Sequence, residues 1–317
     1  MKDDLVYHYC SSQSLFEIIR SKELWLTSLN STNDETELSY GKKILNNLII
    51  EMIEEATDQE FKNYLIDLLR PPADKISQSY HHFIEYFGMS FVCKKDNLTH
   101  WGNYGCAGTG FCFSLNLEKL DSYINYDLSF DKLDHEDLIY DEKKQKGIIK
   151  DRLLDLYNNA KRDRTRDKGS ASIAYTILLD LRPYFKNNCF CDEKEHRLIL
   201  REEPFDYSEY SSHRYNQYIS EKENGNEFKE VINQFVKLYE FQQKLKILPE
   251  QRKYGIIKNE IRSYYSLNLE KIWNSELIPE IVIGPKCLQN ERELYSFLRD
   301  NGLKNTKIIR SAVPTRK

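Results

Sequence analysis

Short apolar and aromatic runs recur along the chain, each bounded by polar, glycine or proline positions. This pattern predicts β-strands. The runs lie near residues 5–10, 23–28, 86–93, 109–115, 196–201, 279–284 and 306–311. Between several of them, apolar residues recur instead at helical spacing. The alternation predicts an α+β fold, a compact mixed or antiparallel sheet with long helical insertions.

The helical patterns fall in three insertions, at about 37–85, 141–185 and 225–247. Within the first, Thr57-Asp58-Gln59-Glu60 has the spacing of a capping box, so a second helix is expected to begin there. Pro71-Pro72 is expected to end that helix. No convincing boundary between domains is visible, so we expect residues 1–317 to form one α+β domain that carries these insertions.

Composition narrows the class of protein. The 317 residues are 40% hydrophobic and 30% charged, with a net charge of −4. A global attraction to nucleic acid is therefore not expected, although a local basic patch is compatible with these numbers. The start lacks the apolar core of a signal peptide, and no apolar run approaches the roughly 20 residues that a membrane-spanning helix needs. With seven cysteines in apolar settings, we expect reduced thiols and a cytoplasmic protein without membrane association.

The first candidate for chemistry is His8, in the middle of the first predicted strand. A histidine on a mostly apolar strand must be hydrogen-bonded if it is buried. It is therefore either a satisfied structural residue or a hydrogen-bond donor to a ribose or a carboxamide. The sequence leaves both interpretations open.

The second candidate region follows the next strand, which ends in Thr27 and Ser28. Asn33-Asp34-Glu35 comes directly after it. Asn and Asp are good helix caps, and acids suit a helix N-terminus, which explains the motif without any ligand. The alternative is a loop that lines the same pocket as His8.

The third candidate is the glycine- and aromatic-rich segment from Thr99 to Gly110. It lacks the Lys-Ser/Thr ending of a P-loop and does not open a helix. Trp101 and Tyr104 could stack on a base or on a nicotinamide ring. An aromatic hairpin packed on the core explains the same residues equally well.

The fourth candidate is Glu195, at the mouth of a late strand. Arg197, two residues on, is expected to point to the same face. The two could form a simple ion pair, which contributes little at a surface. In a pocket, Glu195 could instead hold a sugar hydroxyl and stabilise positive charge at the anomeric carbon, as carboxylates do in glycosidic cleavage.

Other motifs are weaker. The run Lys161–Lys168 carries five cations and two acids, and it is the best local candidate for contact with a phosphate backbone. Most runs of this kind are solvated loops. Cys189 and Cys191 have no second pair at zinc spacing, and His81-His82 lacks an H-E-x-x-H context. No metal site is therefore predicted.

Several of these segments together resemble a widespread bacterial family of unknown function. Its pattern combines an N-terminal tyrosine strand with W-L-S…N-D-x-x-E, W-x-x-Y…G-F-C and E-x-E-x-R segments. The matching stretches are Tyr7-His8-Tyr9, Leu24–Ser28, Asn33-Asp34-Glu35, Trp101–Tyr104, Gly110–Phe113, Glu193–Arg197 and Ile281–Pro285. The resemblance spans residues 5 to 285, and the set is more specific than any one motif.

That family is in turn distantly similar to the ADP-ribosyltransferase fold, including DarT-type toxins that modify DNA. The resemblance implies NAD as substrate, His8 contacting it, Thr27 or Ser28 supporting the pocket, and Glu195 as the catalytic glutamate. It also implies a transferase in antiviral defence or a toxin, with nucleic acid or protein as acceptor. The arginine that DNA-modifying relatives use near the first loop has no counterpart here, where Asn33-Asp34-Glu35 stands instead.

We therefore expect an NAD-consuming, ADP-ribosyltransferase-like enzyme. Its catalytic residues would be His8 and Glu195, and its NAD-binding residues would be His8, Thr27, Ser28, Asn33, Asp34, Trp101, Tyr104 and Arg197. This function requires His8 and Glu195 to open onto one cleft. The alternative is a non-catalytic nucleotide- or partner-binding module of a defence system.

Overall fold

The computed structural model describes residues 5–31, 37–70, 85–124, 133–162, 168–202, 252–257 and 260–314. Within these ranges the protein is a mixed α+β structure, with ten strands joined in one open sheet. The strands are β1 (Leu5–Cys10), β2 (Glu23–Ser28), β3 (Glu85–Val92), β4 (Phe111–Asn116), β5 (Leu133–Asp137), β6 (Glu195–Glu202), β7 (Lys253–Ile257), β8 (Glu260–Asn268), β9 (Glu280–Ile283) and β10 (Lys307–Arg310).

The same ranges contain eight α-helices. They are α1 (Ser12–Ser21), α2 (Glu37–Glu55), α3 (Gln59–Leu69), α4 (Leu98–Asn103), α5 (Leu117–Tyr123), α6 (Glu142–Arg162), α7 (Lys168–Leu179) and α8 (Glu291–Asp300). Short 3₁₀ turns cover residues 29–31, 106–108, 182–184, 188–193 and 270–272.

The sheet branches at β3. Along one path the strand order is β10-β9-β4-β1-β3-β2-β8-β7, and β6 and β5 continue from the other edge of β3. Strand β6 pairs with the whole of β3, from Glu85↔Glu202 to Val92↔Glu195. The opposite edge of β3 is shared, because β2 pairs near its start and β1 at its end. Only the β9–β10 pair is parallel among the described strands.

The two faces of the sheet bury different sets of side chains. We call face A the side that carries Val6, Phe113 and Leu198, and face B the side that carries Tyr7 and Cys112. Face A forms the largest apolar core and is covered by α1, α5 and α8, whose leucines and isoleucines pack into it. Because side chains alternate along a strand, the cross-strand register assigns every strand residue to one face.

Face B is covered in two parts. Near β1, β4 and β9 a small apolar cluster of Tyr7, Tyr9, Val92, Trp101 and Cys112 lies under α4. Near β3 and β6 lie helices α2, α3, α6 and α7, which share a second apolar core of their own. The Tyr86 hydroxyl on β3 donates to the Asp180 carboxylate, 2.5 Å away at the end of α7, and ties that layer to the sheet.

All seven predicted strands are present, and three strands were not predicted. Strand β5 has the sequence LDHED, and only its first residue is buried, so apolar periodicity gives no signal. Strands β7 and β8 form the hairpin at one end of the strand order, and several of their apolar side chains face solvent. Such strands are defined by pairing rather than by burial.

Helices α2 and α3 lie within the first predicted insertion, and α6 and α7 lie within the second. Helix α3 begins close to the predicted capping box, but its N-cap is Asp58, whose side chain accepts from the Glu60 N–H. The predicted helix at 225–247 lies outside the described residues, as do 71–84 of the first insertion and 163–167 of the second. None of the described helices has the length and apolar character to cross a bilayer.

Candidate functional site

Glu195 is the first residue of β6 and the centre of a buried polar cluster on face B. Its Oε1 accepts hydrogen bonds from Ser90 Oγ at 2.5 Å and from Arg197 Nε at 2.8 Å. Its Oε2 accepts one from Lys186 Nζ at 2.7 Å. Ser90 and Arg197 are cross-strand partners on β3 and β6, and Lys186 follows the 3₁₀ turn at 182–184. The expectation that Glu195 and Arg197 share a face is confirmed.

Burial and charge act on this carboxylate in opposite directions. The side chain of Glu195 is only 4% exposed and that of Arg197 only 1%. Burial alone raises the pKa of Glu195, but the charges of Arg197 and Lys186, together with the hydrogen bonds from Lys186 and Ser90, outweigh it and hold the pKa below its ordinary value. The group is therefore an ionised carboxylate with fixed donors around it at neutral pH.

The cluster extends from Glu195 to the surface through Lys186. Its ammonium also donates to Glu193 Oε2 at 2.6 Å, so two carboxylates share one cation. The Tyr104 hydroxyl donates to Glu193 Oε1, also at 2.6 Å. Tyr104 is 39% exposed and forms the solvent end of the row. We call Glu195, Lys186, Glu193, Tyr104, Ser90 and Arg197 the Glu195 cluster.

Local structure positions both ends of the Glu195 cluster. Lys194 adopts a left-handed conformation (φ 46°) between the 3₁₀ turn and β6, which separates Glu193 from the strand. The Tyr140 hydroxyl accepts the Glu195 backbone N–H at 2.9 Å. On the other side, Asn97 caps α4 by accepting from the Thr99 and His100 N–H groups, and Tyr104 is the residue that ends this helix.

Trp101 is not a ligand-stacking residue in this structure. Its ring is 1% exposed, lies edge-on to Tyr9 at 4.8 Å between centroids, and donates its Nε1–H to Asp96 Oδ1. The expectation that Trp101 contacts a base or nicotinamide is therefore wrong, because the segment predicted as a loop folds into α4 and turns the indole into the core. Tyr104, in the same segment, keeps an exposed ring.

His8 lies on the opposite face of the sheet from Glu195. It pairs with Phe113 of face A, and its ring contacts Phe91 and Phe113, at 5.7 and 5.4 Å between centroids. Its Nδ1 is 2.8 Å from the Ser90 carbonyl oxygen, to which it donates. Burial lowers the pKa of His8, and the bond to Ser90 opposes that shift.

The expectation that His8 and Glu195 open onto one cleft is therefore wrong. Tyr7, the neighbour of His8, pairs with Val92, which pairs in turn with Glu195. Tyr7 and Glu195 thus share face B, and strand alternation sends His8 to face A. His8 fits the alternative of a satisfied structural histidine.

The remaining predicted residues are spread over the sheet. Thr27 lies on face B opposite Gly88, and Ser28 is buried on face A opposite Phe87, so these two do not serve one pocket together. Asn33, Asp34 and Glu35 lie outside the described residues.

The basic run is described only at its ends. Lys161 lies 3.9 Å from Glu60 and near the Tyr157 ring, and Arg162 donates to Asn159. These contacts are within the chain, and they leave the phosphate-binding interpretation of the run untested.

Sequence reasoning missed two members of the Glu195 cluster. Ser90 lies in the middle of an apolar strand, and its role follows only from its register against Arg197. Lys186 follows an irregular segment that carries no motif. Glu193 was visible as the first acid of the E-x-E-x-R segment, but its link to Tyr104, 89 positions earlier in the chain, requires the fold.

Comparison with known proteins finds a likeness to one family over part of the chain. Residues 100–198 match a family model described as protein of unknown function (DUF2971). No curated protein matches the chain, and no solved structure matches it. The matched range begins at His100, beside Tyr104, and ends just after Arg197, so it contains every member of the Glu195 cluster except Ser90.

Proposed function

We propose that this protein breaks the nicotinamide–ribose bond of NAD at the Glu195 cluster, as an ADP-ribosyltransferase-like enzyme. Glu195 is the catalytic carboxylate, and the exposed ring of Tyr104 is the contact for a flat ring of the substrate. The fold relationship to ADP-ribosyltransferases belongs to the same proposal. It is supported by the motif resemblance and by the chemistry of the cluster.

The observation that carries the proposal is a pair of carboxylates sharing one ammonium. Cleavage of the glycosidic C–N bond leaves its electron pair on nicotinamide and develops positive charge on the ribose. A preorganised, water-excluded carboxylate stabilises such charge strongly. Lys186 Nζ, at 2.7 Å from Glu195 and 2.6 Å from Glu193, occupies the place that a developing cation would take.

This geometry requires a movement before catalysis. Lys186 is 10% exposed and closes the approach to Glu195, so it must leave Glu195 when the substrate enters. It can stay bound to Glu193, which it already contacts. Arg197 and Ser90 continue to hold the other carboxylate oxygen, so the orientation of Glu195 is kept. His8 takes no part in this mechanism.

The acceptor completes the reaction. The ribose cation is captured by water, or by a nucleophile of a nucleic acid or protein that loses a proton as the new bond forms. The resemblance supports a macromolecular acceptor and a role in antiviral defence or as a toxin.

A second function is favoured by one specific observation. All the contacts of Glu195 named above are internal, and the side chain is 4% exposed, as expected for a structural ion-pair network. Under this alternative the chain is a non-catalytic module that binds a nucleotide or a partner at the Tyr104 surface. Ligand binding would then stabilise the protein without turnover.

The test compares NAD consumption by wild type and Glu195→Gln, with mass analysis of protein and added nucleic acid for ADP-ribose. The proposal predicts that Glu195→Gln reduces turnover at least 100-fold, as expected for loss of a main electrostatic stabiliser. Glu276→Gln, at an exposed ion pair with Lys119, is the control and keeps full activity.

Folding must be separated from catalysis, because removal of one partner from a buried ion pair costs about 3–5 kcal/mol. The double variant Glu195→Gln/Lys186→Met removes the unbalanced charge and is measured beside the single one. Turnover equal to wild type in a folded Glu195→Gln protein rules out this mechanism. Ligand-induced stabilisation of wild type without NAD loss supports the binding module instead.

A further inference from the structure

A second polar constellation lies on face A, at the edge formed by β5 and β6. Asp121 Oδ1 is 2.6 Å from His135 Nε2, His135 Nδ1 is 3.0 Å from His196 Nε2, and His196 Nδ1 is 2.7 Å from Asp137 Oδ1. Four side chains from α5, β5 and β6 thus form one row, Asp121–His135–His196–Asp137. No motif in the sequence predicted it.

The row fixes the tautomer of each ring. A carboxylate only accepts hydrogen bonds, so His135 donates Nε2–H to Asp121 and His196 donates Nδ1–H to Asp137. In two neutral rings the remaining nitrogens, His135 Nδ1 and His196 Nε2, are then lone pairs. They face each other at 3.0 Å. Two facing lone pairs repel unless a cation lies between them.

This arrangement has the features of a metal site. Histidines that bind metal almost always donate their other ring N–H to a carboxylate, carbonyl or water, which fixes the tautomer and raises the basicity of the ligand. Two nitrogens bound at 2.0–2.1 Å to a tetrahedral zinc ion lie about 3.3 Å apart. To admit such an ion, the two nitrogens need to separate by only a few tenths of an ångström, and each ring has to turn so that both lone pairs point at the ion.

The row is open to solvent from one side. The side chains of His135 and His196 are 17% and 9% exposed, while those of Asp121 and Asp137 are 48% and 70% exposed. Cys93 Sγ, also exposed, is 3.7 Å from Asp137 Oδ1. An ion can therefore enter past the carboxylates without opening the core.

We propose that His135 Nδ1 and His196 Nε2 bind one divalent transition-metal ion of the zinc class, with Asp121 and Asp137 orienting the rings. The described residues contain no group of three or more histidine, cysteine, aspartate or glutamate side chains arranged to hold a metal. In the proposed site, two ring nitrogens are the protein ligands and water takes the ion's other coordination positions. Imidazole nitrogens suit Zn²⁺, Co²⁺, Ni²⁺ and Cu²⁺ and do not suit Mg²⁺.

This site is independent of the proposed NAD chemistry. His196 follows Glu195 in the chain, but it pairs with Phe91 of face A, whereas Glu195 pairs with Val92 of face B. The two sites lie on opposite sides of one strand. Failure of either proposal therefore leaves the other intact.

The test titrates the untagged 317-residue chain with Zn²⁺ by calorimetry and with Co²⁺ by visible absorption. Mg²⁺, which imidazole does not suit, is the negative control. In each titration, wild type is expected to bind one metal ion per chain. His135→Asn and His196→Asn are expected to lose at least tenfold in affinity. His8→Asn is the matched control and keeps wild-type binding, because His8 is another histidine of face A and no imidazole of the described residues is in hydrogen-bond contact with it.

Asp137→Asn separates a binding effect from unfolding, because this side chain is mostly exposed. It keeps both metal ligands but loses the ionised acceptor of His196, and it is expected to weaken Zn²⁺ binding about 10-fold. Absence of Zn²⁺ binding by folded wild type overturns the proposal. Equal binding by wild type and both histidine variants also overturns it.

Discussion

Neighbouring positions on a strand decide which residues can act together. His196 and Glu195 are adjacent in the chain, yet one faces the His135 ring on face A and the other faces Ser90 and Lys186 on face B. The same alternation separates His8 from Glu195. The residue types alone identified His8 and Glu195 as candidates for chemistry. The two side chains do not meet, because they lie on opposite faces of the sheet.

The first residue-scale prediction concerns His8 and pH. Burial lowers the pKa of His8, so the folded state favours the neutral ring and the unfolded chain binds the proton more readily. The contribution of neutral His8 to the free energy of unfolding is therefore fully present above the pKa of histidine in the unfolded chain, about 6.5. It is lost as the pH falls through the lower pKa that His8 has in the folded state. The melting temperature of wild type should fall between pH 7.5 and pH 5.5.

The melting temperature of His8→Phe should fall less over the same pH range, because the variant lacks the titrating group and keeps a ring beside Phe91 and Phe113. Differential scanning calorimetry at both pH values measures this difference. A residual decline is expected from His100, whose pKa burial also lowers. An identical decline in wild type and His8→Phe would contradict the assignment of the pH effect to His8.

The connection from β3 to β4 shows how an element positions several groups at once. Its sequence suggested a glycine-rich loop, but Asn97 caps a six-residue helix that places Trp101 inside and Tyr104 outside. Gly110 then returns the chain to β4, where its Cα passes very close to the backbone of Cys10. Gly110 therefore serves close backbone packing, and phosphate binding is not needed to explain it.

The element-scale prediction compares two glycines. A Cβ at position 110 would lie 2.2 Å from the Cys10 carbonyl oxygen, so Gly110→Ala forces β1 and β4 apart. We expect a loss of about 1–3 kcal/mol in the free energy of unfolding. Gly147→Ala is the control, because nothing lies within 4 Å of its added Cβ and the residue is inside α6.

The control variant is expected to gain up to about 1 kcal/mol from helix propensity. Urea unfolding curves for the two variants and wild type give both values. Stability of Gly110→Ala equal to that of wild type would show that the approach of β4 to Cys10 is looser than described.

At the scale of the whole molecule, the segment that matches the family model lacks several of the strands with which its own strands pair. Strand β4 pairs with β1 and β9, and β6 pairs with β3, all of which lie outside residues 100–198. Of the β5–β6 register, the pairs His135↔Leu198, Glu136↔Arg197 and Asp137↔His196 lie within the segment, and the pairs with Ile199 and Leu200 extend beyond it. Ser90, which holds Glu195, is also outside it.

We therefore expect a fragment of residues 100–198 to remain without a cooperative fold when produced alone. Circular dichroism during heating and the dispersion of amide signals in NMR test this, with the full chain as control. A two-state melting transition of the fragment would contradict the role assigned to β1, β3 and β9.

The sequence by itself determined the elements that bury a regular apolar face. Burial follows a period of 2 in a strand such as β2 and of 3.6 in a helix such as α2, so both could be found locally, and β1 could be found as a short continuous apolar run. It also identified Glu195 and Arg197 as neighbours on one face, because that relation needs only the alternation within β6. Strand β5 was not predicted, because its residues are mostly polar and it is a strand only through its pairing with β6.

The tertiary structure alone decided which groups form a site. Register between strands is set by packing across the sheet, and a shift of one residue exchanges the faces. The separation of His8 from Glu195 depends on that register, whereas the burial of Trp101 depends on α4 and the joining of Lys186 to two carboxylates on the irregular segment before β6. The contact of His135 with His196, 61 positions apart in the chain, also depends on the register between strands.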